Sequence, residues 1–423
     1  MTDFGPSFVN ASSRRSDEPP TILVGVTHWQ TCLVLGARLR ALREAGFRVL
    51  LVSSPGELLL RTAARARVEP IAIPMHRGIA ALADLVALFR LWRLIGVRKP
   101  DIVEFGTPKA GLLGTIAAWL CRVPRRVYLL RGLRCETATG LKRGVLLAAE
   151  RVASACSHVV LCNSQSLREK AIALRLAPAE KLLLLGEGSS SGVDTSRYSP
   201  GPTHVRQKFG IPRVAPVIGF VGRLTRDKGI PELIRAFDTI LREQPCARLL
   251  LVGWFDDADD ALNRELRLRI ERHPAIDTTG YVSDTVPYYR AMDVLVLPTW
   301  REGFPNVVLE ASAAGVPVIT TQCTGARDSI VPEVTGLLIP PGQPQAISEA
   351  VLRLVADPAR RLHMGTAARA WAVEHYLQSQ VVGLTASFYR ALHDETSSFR
   401  VDRGLPVLGP AVSEPLDPSL SNF

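Results

Sequence analysis

Two carboxylates stand close together where a strand pattern gives way to a helix pattern. The apolar run Val294–Leu297 predicts a strand, and a short helix is expected to begin around Pro305 and to end at Gly315. Glu302 lies in the loop between them, and Glu310 follows after seven intervening residues, on the second turn of the predicted helix. Ligands of open parallel sheets bind at the carboxyl ends of strands, so both side chains are candidates for a binding site.

The chemistry of this segment favours a sugar nucleotide. A helix N-terminus attracts a phosphate through its free amides and its dipole. Carboxylates would repel that phosphate but accept hydrogen bonds from sugar hydroxyls, which assigns Glu302 to a transferred sugar and Glu310 to a ribose. The residues alone leave a plainer alternative open, in which Glu310 is a solvated helix residue and Glu302 is a loop charge.

Two cations occupy a similar position farther upstream. The strand pattern VIGFVG ends at Gly222, and the loop that follows carries Arg223 and Lys228 before Pro231 opens the next helix. An arginine grips a phosphate with two parallel hydrogen bonds and a lysine adds a point charge, so this pair can bracket a diphosphate. The alternative is two exposed loop cations without a ligand.

Both segments resemble motifs of the family-4 retaining glycosyltransferases. The pair Glu302 and Glu310 matches the family's Glu, seven residues, Glu motif, and the segment FVGRLTRDKGIPELIRAF at 220–237 matches a second signature. The resemblance implies the GT-B fold, which consists of two facing doubly wound parallel-sheet domains with a cleft between them. It also implies retaining transfer of a sugar from a nucleotide diphosphate donor, with a UDP-sugar expected.

The resemblance assigns roles to individual residues of the second half. The donor sugar is expected to contact Glu302, Gly303, Phe304, Pro305 and Asn306. The donor diphosphate is expected to contact Gly222, Arg223 and Lys228. The ribose and base are expected to contact Glu310, Val282 and Val307. These cations and the helix start replace the metal of other glycosyltransferase folds, so no metal and no cofactor are expected.

A basic loop in the first half is the candidate acceptor edge. Four cations surround the end of a predicted strand in VYLLRGLRCETATGLKRG, which suits an anionic acceptor. The predicted acceptor residues are Thr27, Arg131, Gly132, Arg134, Lys142 and Arg143. Many relatives have histidine at the position of Arg131, and similar RGLR segments occur in members that build bacterial exopolysaccharides and capsules on a lipid carrier. Because guanidinium cannot act as a base near neutral pH, the role of Arg131 stays open.

The chain's net charge of +11 is concentrated in this half. Residues 21–200 contain 26 Lys and Arg against 12 Asp and Glu, whereas residues 201–392 contain 21 against 20. Charge alone permits nucleic acid, acidic phospholipid or a lipid-linked diphosphate as the anionic partner. The resemblance favours a nucleotide sugar, a lipid-linked (polyprenyl diphosphate) glycan and an anionic membrane, without nucleic acid.

Short apolar runs alternate with helix patterns along most of the 423 residues, which predicts an α/β protein with parallel doubly wound sheets. The expected domains are an acceptor domain at 21–200 and a donor domain at 201–375. A helix at 376–392 is expected to cross back to the first domain. The leader, 1–20, and the Ser- and Pro-rich tail, 396–423, are predicted to be disordered.

Membrane contact is expected to be peripheral and on the cytoplasmic side. No uncharged apolar stretch reaches the roughly 20 residues that a span requires, and the first residues lack the apolar core of a signal peptide. The segments 79–99 and 140–152 combine apolar residues with cations and are candidates for touching the membrane surface. For 79–99 the alternative is a core-facing amphipathic helix with a solvated basic edge.

Other functional classes are also compatible with the alternating pattern. An NAD-dependent oxidoreductase would require Gly-x-Gly-x-x-Gly after a strand, and no such run occurs. A catalytically silent binding protein would be expected to lose the cleft charges, which this chain retains. A sugar-nucleotide epimerase, a glycan phosphorylase and a transferase with a soluble acceptor remain open.

Overall fold

The computed structural model describes residues 18–78, 80–256 and 260–394, and it contains two parallel sheets of seven and six strands. The alternation of strand and helix predicted from the sequence is confirmed. The predicted disordered tail at 396–423 and all but the last three residues of the predicted leader lie outside the described residues.

The first sheet occupies the basic half of the chain. Its strands are β1 (Thr21–Gly25), β2 (Arg48–Ser53), β3 (Glu69–Ala72), β4 (Ile102–Gly106), β5 (Arg125–Leu130), β6 (Val159–Cys162) and β7 (Leu182–Leu184), in the order β3-β2-β1-β4-β5-β6-β7. Its helices are α1 (Gly36–Glu44), α2 (Glu57–Ala66), α3 (Ala81–Arg98), α4 (Pro108–Leu120), α5 (Gly140–Cys156) and α6 (Gln165–Ala173). The central strands are buried on both faces, which explains their largely apolar sequences, with Glu104 of β4 as a buried exception.

The second sheet follows a short helix, α7 (Val205–Lys208). Its strands are β8 (Val217–Val221), β9 (Arg248–Val252), β10 (Ile276–Thr278), β11 (Val294–Leu297), β12 (Val318–Thr321) and β13 (Gly336–Ile339), in the order β10-β9-β8-β11-β12-β13. Its helices are α8 (Ile230–Glu243), α9 (Arg264–Arg272), α10 (Val286–Tyr289), α11 (Asn306–Ala313), α12 (Pro344–Ala356) and α13 (Pro358–Tyr376).

Each sheet has one point at which the strand order reverses. In the first sheet β1 pairs with both β2 and β4, and in the second β8 pairs with both β9 and β11. Consecutive connections leave such a point in opposite directions, which opens a crevice at the carboxyl ends of the two central strands. The loops after β8 and β11 carry the predicted cations and Glu302, so the topology brings the two second-half motifs to one crevice.

The final helix, α14 (Gln378–Asp394), returns to the first sheet. It packs against α1, and Phe388, Tyr389 and Leu392 belong to the apolar core beneath β1 and β2. Tyr389 also donates a hydrogen bond to the buried Glu104 of β4, which is paired with Arg38. Within the described part of the chain, every helix is too short or too polar to cross a bilayer.

Candidate active site

Helix α11 presents an open N-terminus at the crevice of the second sheet. The helix begins at Asn306, one position later than the sequence predicted. Pro305 is its cap residue and contributes no side-chain hydrogen bond to the first turn. The Val308 amide donates to the Pro305 carbonyl oxygen at 3.1 Å, so the amides of Asn306 and Val307 are the candidates for binding an anion. Asn306 and Val307 are partly exposed there, whereas Pro305 is buried.

The predicted sugar ligand and a predicted phosphate ligand form an ion pair with each other. Lys228 Nζ contacts Glu302 Oε1, although their side chains belong to the separate loops after β8 and β11. Both side chains are less than one-fifth exposed, at 18% and 14%. The structure therefore places a cation and a carboxylate, the groups that suit a phosphate and a sugar hydroxyl, in direct contact at the strand-order reversal.

Arg223 lies at the same crevice and is held by carboxylates that the sequence analysis did not single out. Its Nη1 donates to Asp256 Oδ2 at 2.9 Å, and Nη2 lies 3.8 Å from Asp227. Asp256 also accepts from Arg77 of the first half at 3.0 Å. Asp256 follows the end of β9, and this position after a strand is the feature of the sequence that could have identified it as a site residue.

Asp227 organises the loop that carries the two cations. It accepts a hydrogen bond from Thr225 at 2.6 Å and pairs with Arg301 at 2.9 Å. Burial alone would raise the pKa of this carboxyl, but Lys228, Thr225 and the arginines together lower it. Asp227 therefore remains ionised at neutral pH and fixes the loop by charge. Its position directly before Lys228 is the only hint that the sequence offers.

Glu310 is partly buried and faces two tyrosines. Its Oε2 accepts a hydrogen bond from Tyr289 Oη at 2.8 Å, and the Tyr198 ring lies 5.9 Å from the Tyr289 ring. Burial raises the pKa of Glu310 to about 7, although the hydrogen bond from Tyr289 acts in the opposite direction. The simple solvated helix residue is therefore not what the structure shows, and the ribose role stays a prediction.

The remaining predicted donor residues are of two kinds. Phe304 is buried in a small apolar cluster, with its ring 5.2 Å from that of Tyr376, so its backbone is the part available to a donor sugar. Val282 and Val307 pack at the margin of the second core, and Gly222 lies directly after β8. The assignment of Val282 to the base is still a prediction.

The two halves of the chain meet at Gly303. A Cβ at this position would lie 2.5 Å from the carbonyl carbon of Arg131 and 3.1 Å from the amide nitrogen of Gly132. On the other side of the loop, a Cβ on Gly325 would lie 2.7 Å from the carbonyl carbon of Gly303. Only glycine fits between these two backbones, so the loop after β5 and the loop after β11 are in direct contact.

The predicted acceptor cations lie in different surroundings. Arg131 turns into the first half, where it donates to Ser190 Oγ at 3.1 Å and its Nη1 is buried without a hydrogen-bond partner among the described residues. Burial and the neighbouring Arg38 lower its pKa to about 10. Arg134 lies 3.5 Å from the backbone oxygen of Arg77, and Lys142 is exposed on α5. The structure therefore does not gather the four cations at one point, and their contact with an acceptor stays a prediction.

Thr27 lies at the reversal point of the first sheet, but its hydroxyl is already engaged. It lies 2.7 Å from Thr107 Oγ1 and accepts a hydrogen bond from the Ala110 amide at 3.0 Å. It therefore stabilises the start of α4. Its buried side chain gives a sugar acceptor little access.

A polar cavity of about 520 Å³ opens between the two halves, beside the Gly303 contact. Its charged lining residues are Glu136, Arg143, Glu169, Lys170 and Arg327. Glu136 accepts a hydrogen bond from Thr324 across the cavity at 2.6 Å, and Trp300 supplies an aromatic wall. Arg143 is thus the one predicted acceptor cation that lines this cavity. Among the described residues, no cluster of three His, Cys, Asp or Glu side chains is arranged to hold a metal.

Comparison with known proteins agrees with this geometry. Residues 34–188 match the profile of the glycosyl transferase 4-like domain, and residues 215–357 match that of the glycosyl transferases group 1. The chain is 37% identical over 360 residues to the capsular polysaccharide biosynthesis glycosyltransferase CapM of Staphylococcus aureus, covering 84% of this chain and 93% of that relative.

A second relative and a solved structure extend the comparison. The GDP-mannose-dependent alpha-(1-6)-phosphatidylinositol monomannoside mannosyltransferase of Mycolicibacterium smegmatis is 33% identical over 313 residues, covering 71% of this chain and 79% of its own. The Anabaena protein HepE, solved with UDP and glucose, superimposes with a TM-score of 0.72 at 20% identity, covering 88% of this chain and 99% of HepE. The predicted GT-B fold is confirmed.

Proposed function

The chain belongs to the group 1 glycosyltransferases, and from that premise we propose that it is a retaining, metal-independent enzyme that uses a UDP-sugar. The acceptor in this proposal is a lipid-linked glycan, a polyprenyl diphosphate derivative, used in bacterial surface polysaccharide synthesis. The contact between Lys228 and Glu302 carries the donor assignment. A sugar nucleotide joins a sugar directly to a diphosphate, so the residues that bind these two groups need to be neighbours.

The chemical step is the exchange of one glycosidic bond for another. The bond between the anomeric carbon and the β-phosphate oxygen breaks, and a bond to the acceptor oxygen forms on the same face of the sugar. The acceptor's proton passes to a phosphate oxygen, and UDP leaves. Arg223, Lys228 and the N-terminus of α11 stabilise the charge that develops on the diphosphate, which is the role that a metal has in other folds.

Three observations support an anionic, lipid-linked acceptor. The cavity beside Gly303 carries Arg143, Lys170 and Arg327. Arg327 is paired with Glu169 at 2.7 Å, so Arg143 and Lys170 are the cations that suit a phosphate group. The first half of the chain is strongly basic. The names of the two relatives refer to capsular polysaccharide and to a phosphatidylinositol glycolipid. The proposed location is the cytoplasmic face of the membrane, held there by peripheral contact with anionic lipids.

The test is an assay of UDP release by the full chain. UDP-sugars are supplied with and without a bacterial membrane extract, and both free UDP and labelled lipid-linked product are measured. Removing a positioned cation costs about a hundredfold in turnover, so Lys228→Met should abolish most of the transfer. Lys208→Met, at an exposed cation of the same half, is the matched control and should retain full activity.

Each other outcome points to a different conclusion. Product formed only with a water-soluble glycan would replace the lipid-linked acceptor. An epimerised sugar without transfer would indicate the epimerase alternative. If no nucleotide sugar yields UDP or product under any condition, the proposed donor assignment is wrong.

A further inference from the structure

Helix α3 is apolar on two opposite faces, and only one of them is covered by protein. Ala87, Leu91 and Ile95 are buried against the first sheet. The opposite face exposes large apolar side chains, with Leu82 at 83%, Leu85 at 64% and Phe89 at 58% of their full accessible surface. A helix that is apolar all round is normally buried on all sides. The exposed face of α3 therefore has the composition of a buried surface, but no part of the described chain packs on it.

The exposed surface continues onto the neighbouring helices. α4 packs against both α3 and α5. Lys109 pairs with Asp84 at 2.5 Å near the start of α3 and α4, and Cys121 Sγ lies 3.4 Å from the Trp92 carbonyl oxygen near their ends, so the two helices run side by side. We call the following residues the apolar face: Leu82, Leu85, Val86, Phe89, Trp92, Val97, Trp119, Leu120, Leu141 and Val145.

The charges around the apolar face are almost all positive. Arg90 and Arg93 are exposed on α3 between the apolar residues, and Arg122 is exposed just after α4. Lys142 and Arg143 begin α5 beside Leu141. Asp84 is the only acidic residue of α3, and Lys109 neutralises it. A surface that combines apolar side chains, tryptophans and cations is complementary to the headgroup region of an anionic bilayer.

We propose that α3 lies in the plane of an anionic membrane, with the apolar face immersed at the boundary between headgroups and acyl chains. Its 18 residues give a length of roughly 27 Å along the surface. The surrounding arginines contact lipid phosphates, and Trp92 and Trp119 anchor the margin. Immersion of apolar side chains supplies an attachment that salt does not screen, in addition to the electrostatic attraction of the basic half. This inference rests on the peripheral membrane location proposed above, and it holds whichever donor or acceptor the cleft takes.

The test measures partition of the full chain onto vesicles of phosphatidylglycerol and phosphatidylcholine. Leu85→Ser with Phe89→Ser should lower the partition coefficient by about a hundredfold, because each large apolar side chain contributes about tenfold when it is buried. A substantial part of native binding should persist at high salt. With lipids brominated near the headgroups, the native protein should show tryptophan quenching, and Trp92→Phe with Trp119→Phe should lose it.

Leu362→Ser is the matched control, because Leu362 is 73% exposed on a helix of the second half. It should bind vesicles as the native chain does, and both variants should retain the native melting temperature. The proposal is wrong if the α3 variant binds like the control. It is also wrong if native binding vanishes completely at high salt, or if the α3 substitutions dissociate a dimer in solution without changing vesicle binding. UDP binding by the same variants keeps this result separate from the proposed transferase activity.

Discussion

Gly303→Ala tests whether the contact between the two halves of the chain is needed for chemistry. Ordinary contacts of a Cβ begin at about 3.4 Å, whereas a Cβ on Gly303 would lie 2.5 Å from the carbonyl carbon of Arg131. The carbonyl oxygen of Arg131 would lie closer still, so the two backbones would need to separate by more than about 0.9 Å at this point. The loop cannot retreat the other way, because the turn at Gly325 already lies against Gly303.

The expected effect falls on turnover more than on donor binding. A displacement of about 1 Å between reacting groups costs on the order of a hundredfold in rate, or about 2.7 kcal/mol in activation free energy. The proposed donor ligands Arg223, Lys228 and Glu310 all belong to the second half. Affinity for UDP should consequently change by less than about threefold, while the rate of sugar transfer falls by about a hundredfold.

The measurements are steady-state transfer, calorimetry with UDP and thermal unfolding. Gly383→Ala is the matched control, because Gly383 lies within α14 and a Cβ there would meet nothing within 4 Å. This control should be neutral or slightly stabilising, as expected for alanine in a helix. Native turnover in Gly303→Ala would refute the reasoning, since it would mean that transfer does not require the two loops to be in contact.

Three further predictions concern charge. Transfer should persist in excess EDTA, measured as UDP release, because Arg223 and Lys228 supply the charge that a metal would; activity lost to EDTA and restored by magnesium or manganese would contradict this. If Glu310 binds the donor's ribose as a carboxylate, affinity for the UDP-sugar that the enzyme uses, measured by calorimetry, should rise about tenfold from pH 6 to pH 8 as Glu310 ionises around its pKa of about 7, and Glu310→Gln should remove the rise. Glu150 is buried beside Tyr128, and burial raises the pKa of its carboxyl from 4.5 to about 7. Its contribution to the free energy of unfolding is therefore fully present below pH 4.5 and is lost as the pH rises through 7. Chemical unfolding should show a fall of up to about 3 kcal/mol between pH 5 and 8 that is absent in Glu150→Gln, and equal slopes in both proteins would contradict the assignment.

The fold could be predicted because strands of a parallel sheet are buried on both faces and leave continuous apolar runs in the sequence. Such runs, as in β1 and β11, separate cleanly from the helix patterns between them. The meeting of Lys228 and Glu302 was predictable for the same reason. Each follows the carboxyl end of a strand, and the strand order brings those ends together.

Side-chain direction could not be predicted. The apolar spacing of α3 is the same whether a face is covered or exposed, so only the packing of neighbouring helices distinguishes Leu91 from Leu85. The inward turn of Arg131 depends on a serine 59 residues away. The pairing of Arg77 with Asp256 joins residues 179 positions apart, across the boundary between the two sheets. Contacts between residues so far apart leave no pattern in the local sequence.

The paired state of the cleft charges has a consequence for donor binding. Lys228 is neutralised by Glu302, and Arg223 is held between Asp256 and Asp227, so both of these cations already have anionic partners. A diphosphate can replace Glu302 on Lys228, and such an exchange of one anion for another leaves the lysine paired throughout. In the proposed complex the released Glu302 carboxylate would turn away from the phosphate and accept hydrogen bonds from the hydroxyls of the attached sugar. If the predicted roles are right, separation of this one ion pair would supply a phosphate ligand and a hydroxyl acceptor in adjacent positions.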